Sequence, residues 1–85
     1  MSISRKRAFK SRRYQAWRLA VFRRDGFVCQ DCGKVGGYLE ADHVKPWVLY
    51  PELRFSVANG RTLCKKCHEI KTEKDYKVIY KKLWA

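Results

Sequence analysis

Asn59-Gly60-Arg61-Thr62-Leu63-Cys64-Lys65-Lys66-Cys67-His68 is the stretch on which the fold turns. Its centre is a CxxC pair, and the same spacing occurs upstream in Cys29-Gln30-Asp31-Cys32-Gly33. In such a turn both sulfurs can point at one centre, so two turns supply four ligands for a tetrahedral ion with Zn–S bonds of about 2.3 Å. Gly33 lets the backbone fold tightly behind the second sulfur. A redox motif needs only one pair, in a βαβ setting that this chain lacks, and disulfides suit an oxidising compartment. Structural zinc on Cys29, Cys32, Cys64 and Cys67 is therefore the expectation. Such a site is worth on the order of 10 kcal/mol in small peptides. That decides whether a chain of 85 residues folds, since it buries little apolar surface of its own.

Between the knuckles lies an insert of 31 residues, longer than a compact zinc ribbon needs, and the chemistry is sought there. Tyr38 to Val44 reads as a strand ending near Pro46. Residues 45–58 form a connection with two prolines and apolar anchors at Trp47, Leu49 and Phe55. Asn59-Gly60 is a turn signal, Arg61 to Leu63 a short returning strand, and Cys64 to about Thr72 a helix. Both histidines of the chain stand beside candidate ligands: His43 follows Asp42, and His68 follows Cys67. Alone, either reads as a satisfied structural residue.

Outside this region, Tyr14, Trp17 and Val21 recur at helical spacing, and Asp25-Gly26 ends that helix. Tyr76, Ile79, Tyr80 and Leu83 mark a separate C-terminal amphipathic helix, with Thr72 and Asp75 at capping-box spacing. Residues 1–13 read as a flexible basic arm and 14–85 as a single domain. The net charge of +12, interleaved with twelve aromatics, points to nucleic acid as partner, ahead of an acidic membrane surface. The longest apolar runs, Leu19 to Phe22 and Trp47 to Tyr50, are far short of the roughly 20 residues of a spanning helix. With no signal-peptide stretch, the expected location is the cytoplasm.

Three segments then carry a resemblance: Arg24-Asp25-Gly26-Phe27-Val28-Cys29-Gln30-Asp31-Cys32-Gly33, Leu39-Glu40-Ala41-Asp42-His43-Val44, and the stretch 59–68 quoted above. Together they resemble the HNH endonuclease family over residues 24–74, in its compact stand-alone form known from bacteriophage and bacterial genomes. The resemblance implies an α+β fold of the ββα-metal type, two antiparallel strands and a helix clasping a divalent ion, with the four-cysteine zinc site and flanking N- and C-terminal helices. It implies Asp42 and His68 as ligands of that ion, expected as Mg²⁺ or Mn²⁺, with other divalent transition ions admissible. It also implies catalytic roles for His43 (general base), Asn59 (fixing the loop that carries the base) and His68.

The implied function is metal-dependent hydrolysis of DNA phosphodiester bonds, by nicking or double-strand cleavage, with weak sequence preference. A neutral imidazole with a reference pKa of about 6.5 can deprotonate water near neutral pH. Double-stranded DNA is the expected partner, gripped through phosphates. Phage packaging proteins (terminase or portal) are a further partner class, with homing and restriction left open, and the expected state is a monomer or weak dimer in a bacterial or phage-infected cell. Lys65, Lys66 and Lys71 are candidates to stabilise the attacked phosphate. One geometric tension is visible: successive strand residues point to opposite faces, so Asp42 and His43 share a site only where the strand ends or bulges. The alternatives are a non-catalytic zinc-finger nucleic-acid-binding module, and an interaction protein working through its basic arm.

Overall fold

A computed structural model describes residues 11–84. Helix α1 spans Arg12–Arg24, with the Ser11 hydroxyl accepting from the Tyr14 N–H at 3.1 Å as its N-terminal cap. The helix therefore takes in Arg12 and Arg13, which were expected in the basic arm, because a capping serine precedes them; residues 1–10 of that arm lie outside the described residues. Tyr14, Trp17, Val21 and Phe22 are its buried stripe. Its end winds up through Gly26 at φ 65°, with the Phe27 N–H bonded to the Phe22 carbonyl at 3.0 Å.

The first knuckle follows, closed by bonds from the Cys29 N–H to the Lys34 carbonyl and from the Gly33 N–H to the Cys29 carbonyl, both 2.9 Å. Strand β1 (Leu39–His43) pairs antiparallel with β2 (Gly60–Cys64) in a two-stranded sheet, His43 opposite Gly60 and Leu39 opposite Cys64. Each strand is five residues long, so Tyr38 and Val44 of the expected first strand fall outside the ladder. Short 3₁₀ turns at Pro51–Leu53 and Val57–Asn59 order the connection between them.

Helix α1 lies against the sheet, its stripe packing on Leu39 and Ala41 with Phe55 at the margin. The approach is closest at Gly60. A Cβ there would meet Val21 Cγ2 at 2.3 Å and Trp17 Cζ2 at 2.9 Å. Gly60 has φ −103°, so it opens a strand beneath a helix and does not form a glycine turn. A second, smaller core joins Leu63 to Cys29, Cys64 and Cys67.

Helix α2 runs unbroken over Lys65–Trp84. This corrects the expectation of two helices divided at Thr72: Asp75 does not cap a new start but pairs with Lys71 one turn back, at 2.6 Å, and the helix passes through. Tyr76, Tyr80 and Leu83, expected as a packed stripe, are 71%, 59% and 55% exposed. The fold is thus α+β, two antiparallel strands and a long helix behind an N-terminal helix. No described helix is long and apolar enough to cross a membrane.

Candidate functional site

The sulfurs of Cys29, Cys32, Cys64 and Cys67 all lie within 4.8 Å of one another, and the four residues could hold a metal ion. None is in a disulfide. Cys32 Sγ and Cys64 Sγ are 3.7 Å apart, close to the ~3.8 Å edge of a tetrahedron with metal–sulfur bonds of about 2.3 Å. The thiols are tuned unequally. Burial opposes ionisation of Cys29, but backbone N–H groups of Cys32, Cys64 and Asp31 outweigh it and bring its pKa down to about 6. Cys67, hydrogen-bonded to Cys64 and desolvated, is pushed up to about 12. Four adjacent thiolates repel one another unless a cation neutralises them, which is the electrostatic case for a metal here.

The second cluster sits where β1 ends. Asp42 is buried against α2; its Oδ1 lies 3.9 Å from His68 Nε2, and its Oδ2 is 3.4 Å from the Lys71 ammonium. Asp42 Oδ2 is buried and makes no hydrogen bond. The Lys71 ammonium answers the charge on Oδ2, and Oδ1 is the oxygen that faces His68. Burial pushes the Asp42 pKa up, against the opposing pull of Lys71 and His68. Two donor atoms 3.9 Å apart can share one ion, since ligands with bonds of about 2.1 Å lie at most ~4.2 Å apart. The pair could therefore hold one hard divalent ion.

His43, the last residue of β1, takes the other direction. Its ring stacks on Trp17 of α1, centroids 4.1 Å apart, and meets Trp47 edge-on at 5.3 Å. His43 Nε2 is 2.8 Å from the Arg54 carbonyl, an acceptor only, so Nε2 is the donor, and in the neutral ring the lone pair falls on Nδ1. Asp42 and His43 thus do leave the strand on different sides, yet both line one cleft of about 560 Å³ that wraps the strand end. His68 completes it from α2.

Asn59 is buried, and all its side-chain bonds go to backbone: Oδ1 accepts from the Lys45 N–H at 2.9 Å, and Nδ2 donates to the carbonyls of Lys45 (3.2 Å) and Leu53 (3.4 Å). The Val44 N–H donates in turn to the Asn59 carbonyl at 2.9 Å. Asn59 ties the chain leaving His43 to the start of β2. Of the three lysines weighed for the phosphate, Lys65 and Lys66 are exposed, whereas Lys71 is bound to Asp75 and to backbone carbonyls.

Three contributors to the site were missed from sequence. Trp17 supports His43 from outside the motif, and nothing in its own helical spacing points to it. Asp75 holds Lys71; its i,i+4 placement was a readable signal. Arg24 ties its guanidinium to Asp25 at 3.0 Å and to the carbonyls of Val57 (2.8 Å) and Gly60 (2.6 Å), bracketing Asn59.

Comparison with protein families matches residues 29–74 to the HNH endonuclease family. The chain belongs to the HNH endonuclease family. Comparison with solved structures finds an HNH endonuclease from the deep-sea thermophilic bacteriophage GVE2, crystallised with a manganese ion. It is 30% identical, with a TM-score of 0.75, over 87% of this chain and 85% of that one. Comparison with curated proteins finds no match. As an HNH endonuclease the chain is a nuclease that hydrolyses phosphodiester bonds.

Proposed function

We propose that this HNH nuclease cuts double-stranded DNA with little sequence preference, through one divalent ion held by Asp42 and His68 and with His43 as general base. The observation that carries the reading is the buried Asp42 carboxylate, 3.9 Å from His68, in the same cleft as an imidazole whose other nitrogen is bonded to a carbonyl. Mn²⁺ or Mg²⁺ suits the Asp/His pair, and zinc suits the four cysteines. The net charge of +12 favours a polyanionic substrate held through its phosphates.

In this mechanism His43 Nδ1 takes a proton from a water that attacks phosphorus in line with the O3′ leaving group. The Trp17 stack and the Arg54 carbonyl hold the ring in one tautomer and one plane, so the base needs no reorientation as it becomes an imidazolium. A divalent ion held by Asp42 and His68 would supply charge neutralisation at the phosphate and at the departing oxygen. The P–O3′ bond breaks, O3′ takes a proton from solvent, and the products carry 5′-phosphate and 3′-hydroxyl ends. Asn59 keeps the strand end in place during the step.

A supercoiled-plasmid assay with Mn²⁺ or Mg²⁺ tests this. The wild type converts plasmid to nicked or linear forms. His43→Ala lowers that rate by about 10²–10⁴-fold, the usual contribution of a positioned base, while DNA affinity in a mobility shift stays the same. Full cleavage by the variant ends the assignment of the base, and cleavage that ignores divalent ions ends the metal mechanism.

A further inference from the structure

The Lys71 ammonium stands in a cage of five oxygens drawn from α2, the end of β1 and the residue that follows it. Asp75 Oδ1 and Oδ2 are at 2.6 and 2.7 Å, the carbonyls of His43 and Val44 at 3.2 and 3.3 Å, and Asp42 Oδ2 at 3.4 Å. Its side chain is only 15% exposed. An ammonium has three protons to donate, so this one is fully engaged within the protein. It has none to spare for a scissile phosphate.

The cage lies at the joint the reaction depends on. Asp42 comes from the end of β1 and His68 from α2, and the long connection and β2 separate the two elements along the chain. Lys71 stands three residues after His68 on α2 and reaches back to the backbone of His43 and Val44, the residues that follow Asp42. Asp75, one further turn along the same helix, holds the ammonium from behind. We propose that Lys71, tethered by Asp75, is the positioning residue of the divalent-ion site, locking the strand end that carries Asp42 and His43 to the helix that carries His68. This rests on the assignment of Asp42 and His68 as ligands of one ion.

A positive charge beside a cation site makes the proposal sharp in sign. Were Lys71 only a neighbouring charge, its removal would relieve like-charge repulsion and tighten divalent-ion binding. As a positioning group, its removal lets the two ligands drift and weakens binding. Loss of a group that orients a ligand typically lowers metal affinity by about 10–100-fold.

The test titrates the zinc-loaded full chain with Mn²⁺, following free Mn²⁺ by electron paramagnetic resonance, and measures plasmid nicking in parallel. For Lys71→Met the expected result is a Mn²⁺ Kd about tenfold higher or more. At limiting Mn²⁺ kcat falls and saturating Mn²⁺ recovers it, while KM for DNA stays within about twofold. An unchanged or lower Mn²⁺ Kd overturns the proposal, and so does a higher KM with unaltered Mn²⁺ affinity, which would mean a phosphate contact. Lys71→Arg keeps the charge in a group too large for the ammonium cage. It is expected to bind Mn²⁺ more weakly than wild type, and wild-type affinity in that variant overturns the proposal even if Lys71→Met fails to fold. Wild-type protein that takes up no Mn²⁺ would remove the metal site and this role together. Equal uptake by wild type and both variants removes only the role of Lys71.

Discussion

Asp25 and Asp42 are both nearly hidden carboxylates, and they meet burial in opposite ways. For Asp25 the desolvation is outweighed by the Arg24 guanidinium and the Thr62 N–H at 2.9 Å, and its pKa falls below the ordinary carboxylate range. For Asp42 desolvation wins, and the pKa rises. The sign of the stability effect follows. The folded chain binds a proton at Asp42 more tightly than the unfolded chain does. Ionised Asp42 therefore costs stability at neutral pH, and the cost fades as pH falls through the raised value. Asp42→Asn should accordingly melt at a higher temperature than wild type at pH 7–8, with zinc loaded and no other divalent ion present, and the gap should narrow as pH falls through the raised pKa of Asp42. Adding Mn²⁺ should then raise the melting temperature of wild type and leave the variant where it was. A variant less stable than wild type throughout would show that the carboxylate is a net support of the fold. A more stable variant that no longer responds to Mn²⁺ would mark Asp42 as a residue kept for chemistry at the expense of stability.

At the scale of elements, the contact of α1 with β2 is set by what Gly60 lacks. Gly60→Ala places a methyl group against Val21 Cγ2 and the Trp17 ring in the buried core, so one of them must shift. Overpacking of this kind costs about 1–3 kcal/mol. Urea denaturation of the zinc-loaded protein should show that loss, and an unchanged midpoint would mean that α1 shifts freely on the sheet. The same residue marks the limit of reading structure from sequence. Asn59-Gly60 reads as a turn from its residue types, but no local pattern announces which helix will press on it. The paired CxxC motifs, Asp42-His43 and the buried stripe of α1 were legible because each signal is local. The continuity of α2 was not, since Thr72 and Asp75 have capping-box spacing whether or not the helix begins there, and Tyr76, Tyr80 and Leu83 keep helical spacing whether or not anything covers them. Within the site, the residues that stand beside each other in sequence were found. Trp17, Arg24 and the Lys71–Asp75 pair act across elements, so only the folded chain reveals their reach.

For the molecule as a whole, the described apolar core is small and divided. One cluster lies under α1, and the other is little more than Leu63 among the cysteines. A chain with a net charge of +12 and so little buried surface would lean on a metal held by its four cysteines. Stripping the cysteine-bound ion with a strong chelator should abolish cooperative unfolding, as seen by loss of the thermal transition in circular dichroism. Mg²⁺ alone should not bring nicking back, and zinc followed by Mg²⁺ should. A chelated protein that still melts sharply would show that the apolar clusters suffice. Cys67 and His68 are neighbours in the first turn of α2, one facing each cluster of ligands. A metal on the thiols would therefore also fix the turn of helix that carries the imidazole. With zinc on the four cysteines, a newly made copy would stay inert until that ion arrived, and the supply of the ion would act as the safety catch on the blade.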